Sequence, residues 1–315
     1  ELILLAEREQ IFLHILDPEG KWNPDGSDGD YMNKVYIKTQ SRTCYVEIQD
    51  NVYAAGIGRG AEVAQQAVMK MTSEWSGLAT FGNLEEAAMI NAEAVQGAQD
   101  MGKAELSVSA AKAPLPVWMF WSERRKTHDD LRDYWKKQNA SGPERFSNET
   151  ADEIYFPSVI YKKSSVNEEN ISQVRITNDF SGELTEALFQ TAWQFISMAR
   201  RHRCFGTKAL RNYMKPEDYG AVLRTMEHQG FTRRWYEYVP EHVKKTGKPV
   251  PLVINMHGRG GSAESFMDLS GLNRVAEERS FIAVFPESSI YQQRPGGLRN
   301  VLRWNGAYNG EDMDD

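Results

Sequence analysis

The sequence predicts an α/β fold, a mostly parallel sheet flanked by helices, on three observations. Short apolar runs at 251–255, with β-branched Val253 and Ile254, and at 51–55 end in glycine-rich turns. Each turn leads into a stretch with helical spacing, and each helix is followed by another short apolar strand. Strand, glycine turn, helix and strand is the repeating unit of a parallel α/β sheet.

The clearest unit is Pro251-Leu-Val-Ile-Asn-Met-His257-Gly258-Arg259-Gly260-Gly261-Ser262. A run this short, with a Pro before it and glycines behind it, predicts a buried parallel strand ending in a turn that needs glycine. Amides in such a turn, ahead of a helix, point outward and can meet a developing negative charge. Phe266, Leu269, Leu272, Val275 and Ala276 then fall near helical spacing, and Phe281-Ile-Ala-Val-Phe285-Pro286 reads as the next strand. Upstream, Arg233–Val239 alternates as an outer strand, with Thr246-Gly-Lys-Pro249 as a turn.

The succession Tyr-Val-Pro, Lys-Pro-Val-Pro-Leu-Val, Met-His-Gly-x-Gly-Gly-Ser, Ala-Glu-Glu, Phe-Pro-Glu and Arg303-Trp304-Asn305 resembles the polyhydroxybutyrate-depolymerase-like esterases. That group of α/β-hydrolases includes feruloyl and acetyl xylan esterases, and residues 231–315 carry the likeness. The resemblance implies a serine carboxylic ester hydrolase in which the turn His257, Gly258, Arg259, Gly260, Gly261 lines an oxyanion hole. It also implies that a pair like Asp314-Asp315 opens the helix before the nucleophile strand, which places that copy's Ser, Asp and His beyond Asp315.

Composition narrows the alternatives. The 315 residues are 41% hydrophobic and 26% charged, enough to build a core. A net charge of −7 and scattered Lys and Arg leave no footprint for nucleic acid. Arg200-Arg-His-Arg203 reads as the solvated end of a helix. No stretch has the length of a membrane helix and no signal-peptide pattern is seen; Glu1 falls inside a helical pattern, so the compartment stays open, cytoplasmic or secreted. Cys44 and Cys204 are too few for a disulfide framework and lack metal spacing. No metal and no cofactor is called for.

A repeat organises the rest. Leu5-Ala-Glu-Arg-Glu-Gln-Ile-Phe-Leu-His-Ile-Leu-Asp-Pro18-Glu19 mirrors Val275-Ala-Glu-Glu-Arg-Ser-Phe-Ile-Ala-Val-Phe-Pro286-Glu287, and the Pro-Glu pairs stand 268 residues apart (286 − 18). That offset matches one hydrolase domain, so the chain reads as the back of one copy joined to the front of another. The expected domains are 1–203, the C-terminal part of a degenerate hydrolase; 204–230, a helical connector; and 231–315, the N-terminal part of a second copy.

In the first copy, 20–31 reads as a loop, 32–45 as a helix or irregular crossover, Asn51–Ala55 as a strand and Ala61–Met71 as a helix. Gly56-Ile-Gly58-Arg-Gly60 between them resembles the nucleophile elbow G-x-S-x-G with Gly58 in the serine's place. In the same register the family's Asp falls on Arg124 or Arg125 after the strand at 115–121. Its Gly-His falls on Gly182-Glu183 after Gln173–Thr177. Gly58, Arg125 and Glu183 are thus degenerate triad positions: glycine cannot attack, and Arg and Glu cannot orient or replace an imidazole. His128, ahead of Asp129-Asp130 at a helix start, is expected to be exposed. Glu186–Arg203 is expected to be the closing amphipathic helix.

Other chemistry fits less well. Gly56, Gly58 and Gly60 fall short of the dinucleotide pattern G-x-G-x-x-G. Trp118, Trp121, Trp135 and Tyr134 suit either a sugar platform or a core. The implied partners are a small-molecule or polysaccharide-linked ester, with no nucleic acid and no membrane. Because the first copy lacks its early strands, strand exchange between lobes or between chains is a further expectation. The rival function is a non-catalytic ligand-binding or scaffold pseudo-hydrolase.

Overall fold

The computed structural model describes residues 2–9, 11, 13–18, 20–23, 26–42, 52–89, 113–158, 171–202, 209–212, 215–258, 261–292 and 300–304. The chain divides into two compact units: Glu1–Lys38 with Gln49–Tyr213, and Met214–Asp315 with Thr39–Ile48. Each has its own mixed sheet flanked by helices.

In the first unit, α1 (Leu2–Glu9) and α2 (Ser27–Arg42) precede β1 (Tyr53–Ile57), α3 (Arg59–Lys70) and β2 (Gly77–Phe81). Then follow β3 (Val117–Phe120), α4 (Lys126–Gln138), β4 (Glu153–Tyr155), β5 (Val174–Thr177) and α5 (Glu186–Ile196). The sheet order is β1-β2-β3-β5-β4, with parallel pairing throughout except between β4 and β5. Strands β2 and β3 read as unbroken apolar runs because both faces are covered. Leu78, Val117 and Met119 pack with Val68, Leu131 and Trp135 of α3 and α4. The alternate residues Ala79, Phe81, Trp118 and Phe120 pack with Ala192, Phe195 and Ile196 of α5. Phe81 and Phe120 stack with centroids 4.7 Å apart.

The closing helix is shorter than expected. It ends at Ile196, and Ala199–His202 (β6) pairs antiparallel with Ala209–Asn212 (β7). Arg200 and Arg201 are buried, which corrects the solvated-helix-end reading. Arg201 donates from Nε to the Trp75 carbonyl at 2.7 Å and bonds the Pro114 carbonyl through its guanidinium, contacts that helical periodicity does not reveal.

The second unit opens on a hairpin, β8 (Val222–His228) and β9 (Phe231–Tyr238), where the sequence reading placed a helical connector. A short 3₁₀ turn at Pro216–Tyr219 is the helical part present among the described residues of 204–230. The hairpin turn Gln229-Gly230 has φ of 51° and 79°, so both central residues are left-handed, as tight hairpins require. After α6 (Glu241–Thr246) come β10 (Leu252–Ile254), α7 (Ala263–Ser270), α8 (Leu272–Arg279) and β11 (Ile282–Pro286). A further hairpin joins β12 (Ser289–Gln292) and β13 (Asn300–Arg303). The helix expected over 266–279 is broken by Gly271, at φ 59°. The sheet order is β10-β11-β9-β8; only β10 and β11 are parallel among its described pairings, so a mostly parallel sheet describes the first unit and not the second. Strand β10 is the sheet edge and is not buried as expected: Leu252, Val253 and Ile254 are 56%, 36% and 60% exposed.

No helix among the described residues is long and apolar enough to cross a membrane.

Candidate functional site

Parallel strands aim their C-terminal ends at one edge of a sheet, where ligands of α/β proteins gather. In the first unit Gly58 follows β1, Asn83 follows β2, Arg125 follows β3 and Glu183 follows β5 on that edge. Gly58 occupies the corner between β1 and α3 with φ 54° and ψ −124°, a combination L-residues adopt only under strain. Its amide donates to the Phe81 carbonyl at 2.8 Å, and its carbonyl accepts from Ala61 at 3.0 Å. A Cβ at Gly58 would meet nothing within 4 Å, whereas one at Gly56 would lie 2.3 Å from the Gly60 carbonyl oxygen. Gly56 therefore permits the close approach of strand and helix, while Gly58 faces open space.

Arg125 precedes α4 and pairs with Glu85 at 2.6 Å and with Glu123. Its neighbour Arg124 holds Asp129 at 2.6 Å, and that hydrogen bond lowers the Asp129 pKa below the usual carboxylate value. The arginines are thus engaged with surface carboxylates. Glu183 is exposed, with its amide 3.4 Å from Ser181 Oγ, and no interaction with Gly58 or Arg125 is present among the described residues.

His128 departs from expectation. It is fully buried and stacks on Trp121 at 4.4 Å and 9°. The Leu84 amide lies 3.0 Å from Nε2 and the Arg125 amide 3.2 Å from Nδ1. Both nitrogens face donors, and a neutral imidazole accepts at only one. Burial is the main reason its pKa is lowered. Trp118, Trp121 and Trp135 are likewise buried, which corrects the sugar-platform option to core: Trp118 donates to Thr177 Oγ1 and Trp135 to Gln65 Oε1, each at 2.9 Å.

The glycine turn of the second unit leaves β10 beside the end of β11. Arg259 and Gly260 lie outside the described residues. The Gly261 amide donates to the Gly258 carbonyl at 3.0 Å, closing a tight turn, and Gly258 is exposed. Ser262 caps α7, accepting from the Ser265 amide at 3.1 Å while Ser265 Oγ accepts from the Ser262 amide at 3.0 Å. His257 is buried beneath the turn; Nδ1 is 2.8 Å from the Gly258 carbonyl and Nε2 is 3.2 Å from Glu287. Burial alone lowers its pKa, but the Glu287 side chain, the Gly258 carbonyl and the Glu287 charge outweigh burial and raise it.

Comparison with family models, curated proteins and solved structures yields no match to this chain. Geometry and sequence pattern therefore carry the functional reading. Among the described residues no group of three or more His, Cys, Asp or Glu side chains is placed to hold a metal ion. Two residues of the site escaped the sequence reading. Glu287 was visible as the last member of Phe-Pro-Glu, and Trp304, whose Nε1 donates to the His257 carbonyl at 2.7 Å, as the centre of Arg-Trp-Asn. Neither motif shows by itself that its residue touches His257.

Proposed function

We propose that this chain is part of a serine carboxylic ester hydrolase of the polyhydroxybutyrate-depolymerase-like or feruloyl/acetyl xylan esterase type, with an α/β-hydrolase sheet. Its first unit is a copy without a nucleophile, and its second carries the opening strands and oxyanion turn of another copy. The observation that carries this reading is the Gly58 corner: a parallel strand, a strained residue facing open space, and a helix crossing closely enough to require Gly56. A nucleophile elbow needs that geometry so that its serine stands clear of the sheet. In such an enzyme the serine attacks the ester carbonyl, a histidine takes its proton, and turn amides stabilise the oxyanion. Gly58 has no hydroxyl, and Arg125 and Glu183 offer no imidazole. The exposed Gly258 amide would serve a serine that this chain does not provide at its own corner, the Gly261 amide being held by the Gly258 carbonyl.

The expected result is no hydrolysis of p-nitrophenyl acetate above a heat-inactivated control, and no fluorophosphonate labelling of the 315-residue chain. Turnover blocked by the fluorophosphonate would overturn the degenerate-copy reading. The missing hydroxyl at Gly58 also favours a second reading, a binding module that keeps the hydrolase shape without turnover. Calorimetric titration with ferulate and acetylated xylo-oligosaccharides separates the two: saturable binding without hydrolysis supports the module.

A further inference from the structure

The glycine turn after β10 is held from one side chain at both of its ends. Glu287 leaves the C-terminal end of β11 with its carboxylate under the turn. Its Oε2 accepts from the Ala263 amide at 3.1 Å. Ala263 is the first residue of α7, where an amide lacks a helical partner and a negative charge is favourable. Its Oε1 lies 3.2 Å from His257 Nε2, on the residue where the turn begins. That oxygen is buried and has no hydrogen-bond donor of good geometry among the described residues, so its carboxylate charge acts on the ring and favours the protonated imidazole.

We infer that Glu287 is the positioning residue of this turn, its carboxylate fixing the strand end through the His257 imidazole and the helix start through the Ala263 amide. His257 transmits the restraint because it is itself fixed on several sides. Its Nδ1 meets the Gly258 carbonyl at 2.8 Å, its carbonyl accepts from Trp304 at 2.7 Å, and the Trp304 ring stands 5.1 Å from the imidazole. The Ser288 amide also addresses Nε2, at 3.2 Å. A neutral imidazole with its proton on Nδ1 donates to the Gly258 carbonyl and accepts from the Ser288 amide at Nε2. Glu287 is the charged group acting on the ring among the described residues; the Gly258 carbonyl, Ser288 amide and Trp304 indole around it are neutral. The clamp fixes His257 at one end and Ala263 at the other, and with His257 the direction of the Gly258 amide. That this amide meets an ester oxyanion rests on the hydrolase reading above; the clamp itself does not.

The test uses the whole 315-residue chain with Glu287→Gln and Glu287→Ala, and reads the His257 imidazole titration by NMR together with amide exchange at Gly261 and Ala263. The His257 resonance is assigned by its loss in His257→Gln. With the carboxylate removed, the His257 midpoint falls, and in Glu287→Ala exchange at Ala263 quickens at least about tenfold for want of its acceptor. Glu287→Gln keeps the shape of the side chain, so it reports on the charge even where the alanine variant does not fold. An unchanged His257 midpoint in folded Glu287→Gln overturns the inference and leaves the hydrolase reading standing. Hydrolysis by the chain overturns the degenerate-copy reading and leaves the clamp untouched.

Discussion

At the residue scale the glycines of 56–60 differ in what they permit, and substitution separates them. An alanine at Gly56 drives its Cβ into the Gly60 backbone at 2.3 Å, which no rotamer relieves. An alanine or serine at Gly58 has room but must hold φ 54° and ψ −124°. Gly58→Ala is therefore expected to cost about 1–3 kcal/mol, and Gly56→Ala more than about 3 kcal/mol because strand and helix must separate. Urea unfolding followed by fluorescence measures both, and equal losses would contradict the close crossing. Gly58→Ser is expected to fold yet remain inactive towards p-nitrophenyl acetate, since no imidazole is present beside it among the described residues.

At the element scale, legibility followed burial. Strands β2 and β3 were readable because their residues are enclosed on both faces, so composition alone marks them, and β5 because its buried Val174 and Ile176 alternate with half-buried Arg175 and Thr177. The corner at Gly58 was readable because glycine spacing reports backbone geometry directly. Strand β8 was not: every residue of Val222–His228 is exposed, so no buried face leaves a pattern in the sequence. The repeat shows how neighbours decide structure. Its helical half forms twice, as α1 and α8, and among the described residues its strand half forms as β11, between β9 and β10. The described residues among 11–18 form no strand, although they match β11 in apolar pattern. His128 and Glu287 were missed for a related reason, because a contact between distant turns has no local signature. Among the described residues strand β10 is paired along one edge alone, and its residues are apolar and exposed, a feature that promotes association. Ile254→Lys is expected to change stability by less than about 0.5 kcal/mol while reducing concentration-dependent association in analytical ultracentrifugation. Unchanged association would show that this edge is not what the copies use.

At the scale of the whole molecule, the two units carry buried histidines with opposite pKa displacements, so acid should act on them in opposite directions. In the first unit burial, above all, lowers the His128 pKa. Its contribution is fully present above the unfolded value of about 6.5 and is lost as pH falls through the lowered folded value, because the unfolded chain then binds the proton better. In the second unit burial lowers the His257 pKa, but Glu287 and the Gly258 carbonyl more than offset it. That contribution is fully present below about 6.5 and is lost as pH rises through the raised folded value. The Asp129 carboxyl, held down by Arg124, titrates below this window and does not blur it. Between about pH 5 and 8, native-state hydrogen exchange at Met119 and Ile176 should report a first unit that gains stability with rising pH. Exchange at Ala283 and Phe285 should report a second unit that loses it. The opposed signs of the two slopes are read after correction for intrinsic rates. His128→Gln should flatten the first slope alone and His257→Gln the second alone. Parallel slopes in the wild-type chain would mean that these two histidines do not govern the pH response of the units that bury them.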